Sequence, residues 1–244
     1  MNDITEKTRL NAIAEAVNTM NNLGYIFSGI RHELGNPINS IKTTLTVCKK
    51  NLPNYSQDTV NEFFDRMLSD IGRVEILLRD LKNFSMYENP KCTQVHIGSF
   101  MNNLLSMVER DFSLNKIRIK RNFRPDAEVG IFDPRALQHV MLNILTNASD
   151  ALLKTEDPEI KISTSKADDR IIIRIKDNGQ GIPDDQKQHL FQPFSTTKSH
   201  GTGLGLVIVK KMMFKMDGTV EIESEEHAGT IVSLNLPAVR VQNA

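Results

Sequence analysis

Within IFSGIRHELGNPINSIKTTL, His32 and Glu33 are adjacent, and Asn36 and Pro37 follow one helical turn later. A neutral imidazole keeps a lone pair on one ring nitrogen. A carboxylate at the other nitrogen can fix the tautomer and take the proton as that lone pair attacks. The pair therefore has the parts of an activated nucleophile, although a His-Glu pair is equally at home on a solvated helix face. What favours chemistry is the company it keeps. Proline inside a helix deletes a backbone hydrogen bond at about 3 kcal/mol and glycine costs about 1 kcal/mol, so a purely structural helix would shed both Gly35 and Pro37.

Three further stretches suit a nucleotide. In MLNILTNASDAL, Asn143, Asn147 and Asp150 recur at helical spacing on one face. Neutral amide oxygens suit Mg2+, a hard cation that shares its shell with water and phosphates; the alternative is a polar face turned to solvent. IKDNGQGIP puts Asp177 at the end of an apolar strand, before Gly179 and Gly181. A carboxylate there can accept an exocyclic amine of adenine, and the glycines allow close approach to a flat ring, yet DNG is also an everyday turn. PFSTTKSHGTGLGLVIV leads through Lys198 and Gly201, Thr202, Gly203, Leu204 and Gly205 into a helix. Amides at a helix start form an anion site able to hold a triphosphate. The spacing matches neither the dinucleotide fingerprint nor a P-loop.

The elements that must position these residues change character along the chain. Apolar residues at Leu10, Ile13, Val17, Met20 and Phe27, then Ile30, Leu34, Ile38, Ile41, Leu45, Cys48 and Leu52, recur by threes and fours, with Gly24 in the gap between Met20 and Phe27, the seam of a coiled coil or bundle. This seam sets His32 on the opposite face and Asn36 beside it, and Pro37 should bend or loosen the helix. NLPNYSQD ends that helix, and a second carries Val60, Phe64, Met67, Ile71, Val74, Leu78 and Leu81. One antiparallel hairpin cannot cover both stripes but two can, as a four-helix bundle, which predicts a homodimer. We expect a signalling helix over 1–24, a hairpin over 25–88, a linker over 89–94 and a mixed domain over 95–239. In that domain Asp133 and Pro134 predict a helix start. EIKISTSKA and RIIIRIKD predict strands joined at Asp168 and Asp169, and two last strands complete an α+β layer.

Composition sets the bounds. Thirty basic and thirty acidic side chains cancel, so no global field selects nucleic acid or an anionic membrane. The apolar runs are too short to cross a bilayer, and no signal-peptide pattern opens the sequence. Cys48 and Cys92 have neither metal-ligand spacing nor the density of a disulfide scaffold. A cytoplasmic protein, or the cytoplasmic part of a longer receptor joined to a membrane only through an upstream segment, is the expectation.

Taken in order, HELGNP, NILTNASDA, DNGQGI, FQPFSTTK and GTGLGL resemble the five boxes of the two-component sensor histidine kinases, whose ATP-binding module is shared with chaperone, mismatch-repair and topoisomerase ATPases. The resemblance runs from about Phe27 to Pro237. It implies a dimeric phosphotransfer hairpin followed by an α/β sandwich that binds ATP with Mg2+. By that resemblance His32 takes the γ-phosphoryl group and Glu33 is its base. Asn36 meets the phosphoryl group and orients the water that dephosphorylates a response regulator. Asn147 is the Mg2+ ligand, and Asn143 stands where the hydrolysing cousins keep a glutamate. Asp177 reads adenine, helped by Thr230, and Lys198 faces the phosphates. Two positions depart from the common pattern: Asp150, where many kinases have lysine, and Gly35, where a polar residue is commoner. A chaperone-like ATPase and a non-catalytic nucleotide-sensing dimer are the competing readings.

Overall fold

The computed structural model describes residues 28–86, 89–124, 129–198 and 201–239. The signalling helix expected over 1–24 lies outside them. The chain divides into two compact units, Met1–Leu81 with Thr196–Thr202, and Lys82–Ser195 with Gly203–Ala244. The boundary near Leu81 thus precedes the end of the second helix.

The first unit is a helical hairpin. Helix α1 occupies 28–51 of the described residues, and a single 3-10 turn, Leu52–Asn54, leads to α2, Gln57–Met86. Ser56 starts α2 by accepting the Thr59 amide on Oγ at 3.2 Å, the serine cap expected at a helix start. Tyr55 and Phe63 close the turn edge to face, their centroids 5.4 Å apart. Pro37 does not break α1: the helix continues on both sides of it, and the ring is buried. One missing bond is tolerated because long helical segments flank it and the ring packs into the hairpin.

Packing divides the apolar stripes. Cys48, Met67 and Leu77 are buried with Thr44 and Asp70, whereas Ile38 and Leu45 on α1, Leu52 in the turn, and Phe64, Leu68, Ile71 and Leu78 on α2 are exposed. A hairpin that buries one side of each stripe leaves the other side in water, at an unfavourable cost per exposed apolar surface.

The second unit is a sheet covered by helices. Strand β1, Thr93–His96, pairs antiparallel with β3, Val129–Phe132. Five further strands are ordered β2-β4-β5-β7-β6: Arg118–Phe123, Glu159–Ala167, Arg170–Asp177, Gly229–Pro237 and Thr219–Glu225. Only β2 and β4 run parallel; the other pairs are antiparallel. Helices α3, Ile97–Leu114, α4, Pro134–Ala151, and α6, Gly205–Lys215, supply the other layer, with a short α5, Asp184–Lys187. The alternation in RIIIRIKD sends Ile171, Ile173 and Ile175 into the core, where they meet Leu137, Met141 and Leu145 of α4 in a fully buried layer. The expected hairpin at Asp168–Asp169 is present, with Asp168 at φ 51°. The linker expected over 89–94 is shortened, because Thr93 and Gln94 already belong to β1.

Candidate functional site

The phosphoacceptor candidates lie together on α1. His32 is 75% exposed, and Glu33 Oε1 lies 3.7 Å from its Nδ1. Asn36 Nδ2 lies 3.5 Å from the same Nδ1. Glu33 can accept from Nδ1 when that nitrogen carries the proton, which leaves Nε2 for attack, whereas Asn36 Nδ2 can donate to Nδ1 only in the other tautomer. A cleft of about 410 Å3 beside them is lined by Asn36, Pro37, Ser40, Arg66, Asp70 and Arg73 among others. Asp70 Oδ2 is buried there without a hydrogen-bond partner.

In the second unit the site is built around the end of β5. Asp177 is 5% exposed. Its Oδ1 accepts the amides of Gly179 at 2.9 Å and Thr230 at 3.3 Å. Burial pushes its carboxyl above the usual range, and those amides offset part of the rise. Asn178 anchors the corner: its Oδ1 accepts the Glu159 amide at 2.8 Å and its Nδ2 donates to the Asp157 carbonyl at 3.1 Å.

The glycines of this corner serve protein backbone. A Cβ on Gly179 would stand 2.7 Å from the Ala151 carbonyl oxygen, and one on Gly181, at φ 67°, would stand 1.9 Å from that of Glu225. The sequence suggests that they admit a flat ring; the nearest groups in the structure are main-chain carbonyls. Close backbone approach of this kind requires glycine.

Helix α4 presents Asn143, Asn147 and Asp150, all half-buried, between the buried Ile144 and Ala148. The start of α6 lies against it: a Cβ on Gly205 would be 3.4 Å from Asn143 Oδ1. Leu204 at the cap of α6 makes no side-chain capping hydrogen bond. Gly203, at φ 66°, closes against the Phe194 backbone. Lys198, Gly201 and Thr202 belong to the segment grouped with the first unit. There Gly201 donates to the Lys198 carbonyl at 3.2 Å and the Lys198 amide to Thr196 Oγ1 at 3.1 Å, and the Thr202 hydroxyl donates to the carboxylate of Asp80.

Among the described residues no group of three or more His, Cys, Asp or Glu could hold a metal. The available donors are amide oxygens and one carboxylate on α4, a set that fits a cation held largely by substrate phosphates rather than by a protein cage.

The start of α4 is held by a residue with two tasks. Asp133 Oδ1 accepts the amides of Arg135 at 2.9 Å and Ala136 at 3.4 Å, while Oδ2 accepts the Lys91 amide at 2.8 Å. Burial alone would raise its pKa, but the three amides and the Arg135 guanidinium outweigh it and hold the carboxyl below the usual range.

A hairpin with an outward histidine, followed by a sheet domain with a buried strand-end carboxylate and a glycine-led helix, is the architecture of a histidine kinase core. The chain carries the two domains of a sensor histidine kinase core: residues 22–90 match the His Kinase A (phospho-acceptor) domain, and residues 132–240 match the histidine kinase-, DNA gyrase B- and HSP90-like ATPase family. It is 29% identical to sporulation kinase C of Bacillus subtilis over 86% of this chain and 48% of that protein. It is 26% identical to sensor histidine kinase ZraS of Salmonella typhimurium over 90% of this chain and 47% of that protein. The fold matches histidine kinase ThkA, solved in complex with response regulator protein TrrA, with a TM-score of 0.73 and 19% identity over 97% of this chain and 68% of that one. The chain spans about a third to a half of the length of the curated relatives it matches. No helix among the described residues is long and apolar enough to cross a membrane.

Proposed function

We propose that this chain transfers the γ-phosphoryl group of ATP to His32 and then to an aspartate of a response regulator. The observation that carries the reading is the setting of His32: an exposed imidazole with Glu33 and Asn36 both at Nδ1. In the first step the Nε2 lone pair forms a bond to the γ-phosphorus, the bond from that phosphorus to the bridging oxygen breaks, and ADP leaves. Glu33 takes the Nδ1 proton as positive charge develops on the ring. In the second step a regulator carboxylate takes the phosphoryl group from Nε2. Asn36, beside the phosphorylated ring, is placed to orient a water for removal of the regulator's phosphate.

In the ATPase-type unit, Asp177 and Thr230 receive adenine, and the start of α6 with Gly203 and Gly205 receives the phosphates; the sequence resemblance gives Lys198 and Gly201 phosphate contacts as well. Asn147 is the protein ligand for Mg2+, with Asn143 and Asp150 on the same face; the ion when bound neutralises charge on the phosphates. The amide at Asn143, in place of a carboxylate base, disfavours attack by water. The exposed stripe Ile38, Leu45, Phe64, Leu68, Ile71 and Leu78 supports a homodimer in which two hairpins complete a four-helix bundle. A supply of ATP and of a receiver domain places the work in the cytoplasm.

Incubation with labelled ATP and Mg2+ tests this reading. The expected product is phosphate on protein that survives base and is lost in acid, and is absent from His32→Ala. Steady release of inorganic phosphate without such a product would favour a chaperone-like ATPase instead.

A further inference from the structure

Three polar side chains occupy one rung across three strands. Ser224 of β6 stands opposite Thr230 of β7. The β5–β7 register, which sets Lys176 against Ile231, puts Asp177 opposite Thr230 at the next position. Residues directly opposite on paired strands share a face. Asp177, Thr230 and Ser224 therefore lie on the same side of the sheet.

The Ser224 hydroxyl is fully engaged. A serine hydroxyl has one proton and two lone pairs. The proton goes to the Gly229 carbonyl at 3.0 Å, and one lone pair accepts the Ile182 amide at 2.9 Å. What remains is a single lone pair toward Thr230 Oγ1, at 2.8 Å. Ser224 can thus only accept from Thr230, so the Thr230 proton points at Ser224 and its lone pairs turn away. A carboxylate at Asp177 also offers only lone pairs. The rung presents acceptors and no hydroxyl donor.

We propose that Ser224 is a positioning residue that fixes the hydrogen-bond polarity of the purine site, so that the rung selects a base carrying an amine at position 6 over one carrying an oxo group. The proposal rests on the reading of Asp177 as the adenine contact. An amine at that position donates to acceptors. An oxo group in the same pose sets its own lone pairs against those of Asp177 and Thr230. Released from Ser224, the Thr230 hydroxyl can rotate and donate to the oxo group.

The experiment is calorimetric titration of the full chain with ADP and with inosine diphosphate, which carries an oxo group at position 6 and a proton on N1. The wild type should prefer ADP by roughly tenfold to hundredfold, the penalty of an unpaired polar group. Ser224→Ala should lower that ratio by about tenfold, mainly through tighter binding of inosine diphosphate. Ser224→Thr, which retains the hydroxyl, should restore it. A merely structural role would weaken both nucleotides alike, and an unchanged ratio in Ser224→Ala overturns the proposal. A wild type that binds the two equally would instead overturn the adenine reading of Asp177. Should Ser224→Ala fail to fold by circular dichroism, Thr230→Val carries the test: it removes the opposing lone pairs, so the ratio should fall, and an unaltered ratio overturns the proposal.

Discussion

The carboxylate of Asp133 holds the backbone amide of Lys91, 42 positions earlier in sequence, at 2.8 Å. The same side chain caps α4, whose second half carries Asn143, Asn147 and Asp150. The strand-leading segment and the helix that would bind Mg2+ are therefore secured by one residue.

Asp133→Ala should destabilise the ATPase-type unit by about 1–2 kcal/mol, the usual cost of a lost helix cap, with Asp133→Asn less affected because it keeps an acceptor. The Asp133 carboxyl is held below the usual range. Its contribution is present above the unfolded value near ~3.9 and is lost as pH falls through the lower folded value. Denaturant melts should show the gap between wild type and Asp133→Ala at pH 7 narrowing at acid pH.

Asp177 carries the opposite sign. Burial raises its carboxyl, so the folded state holds that proton more tightly than the unfolded chain. The resulting stability is complete below the unfolded value near ~3.9 and disappears as pH rises through the folded value. Asp177→Asn keeps an acceptor for Gly179 and Thr230 and has no such titration. Its stability relative to wild type should increase with pH in thermal melts. ADP binding should nevertheless fall by at least about 1.5–3 kcal/mol, the worth of a charge-assisted hydrogen bond.

Glu33 stands 3.7 Å from His32 Nδ1. Glu33→Gln should leave ADP affinity unchanged in titration and slow phosphorylation of His32 by roughly 10²–10⁴-fold, the contribution of a positioned base. A rate equal to wild type would remove Glu33 from the chemistry.

Ile71 is 44% exposed on α2, so a charge there does not disturb the packing within one hairpin. In a dimer it would be buried without a partner. Ile71→Glu should yield monomers in analytical ultracentrifugation, with the helical signal of each hairpin preserved.

Pro37→Ala gives the Glu33 carbonyl a helical donor. It should stabilise the hairpin by up to about 3 kcal/mol, less what the buried ring contributes by packing, and shift the ratio of kinase to phosphatase rates. Unchanged rates with a raised melting temperature would make Pro37 structural alone.

The elements set by local chemistry are legible from the residues. Asp133 and Pro134 mark the start of α4 because a cap and a fixed φ act within one turn. Alternating isoleucines mark β5 because one face is buried. Thr93–His96 reads as linker into domain because four mostly exposed residues carry no periodicity, and their pairing with β3 is non-local. Gly179 and Gly181 are recognisable as sites of close approach, but the residues alone do not say that the approaching groups are the Ala151 and Glu225 carbonyls. Ser224 gives no signal at all: its place beside Thr230 depends on strand register, and its role on hydrogen bonds to Gly229 and Thr230 of β7 and to Ile182, distant in sequence. The His32 cluster is readable because it lies within two turns of one helix.

Gly181 and Gly229 come against the carbonyl oxygens of Glu225 and Asp177, where a Cβ would stand 1.9 Å and 2.2 Å away. Main-chain oxygens belong to every residue type, so trimming a neighbouring side chain creates no room. A suppressor screen begun from alanine at either position should therefore return true revertants, or shifts of whole strands, and no compensating single replacement nearby. Drift in this corner is blocked by the polymer itself, whatever nucleotide it serves.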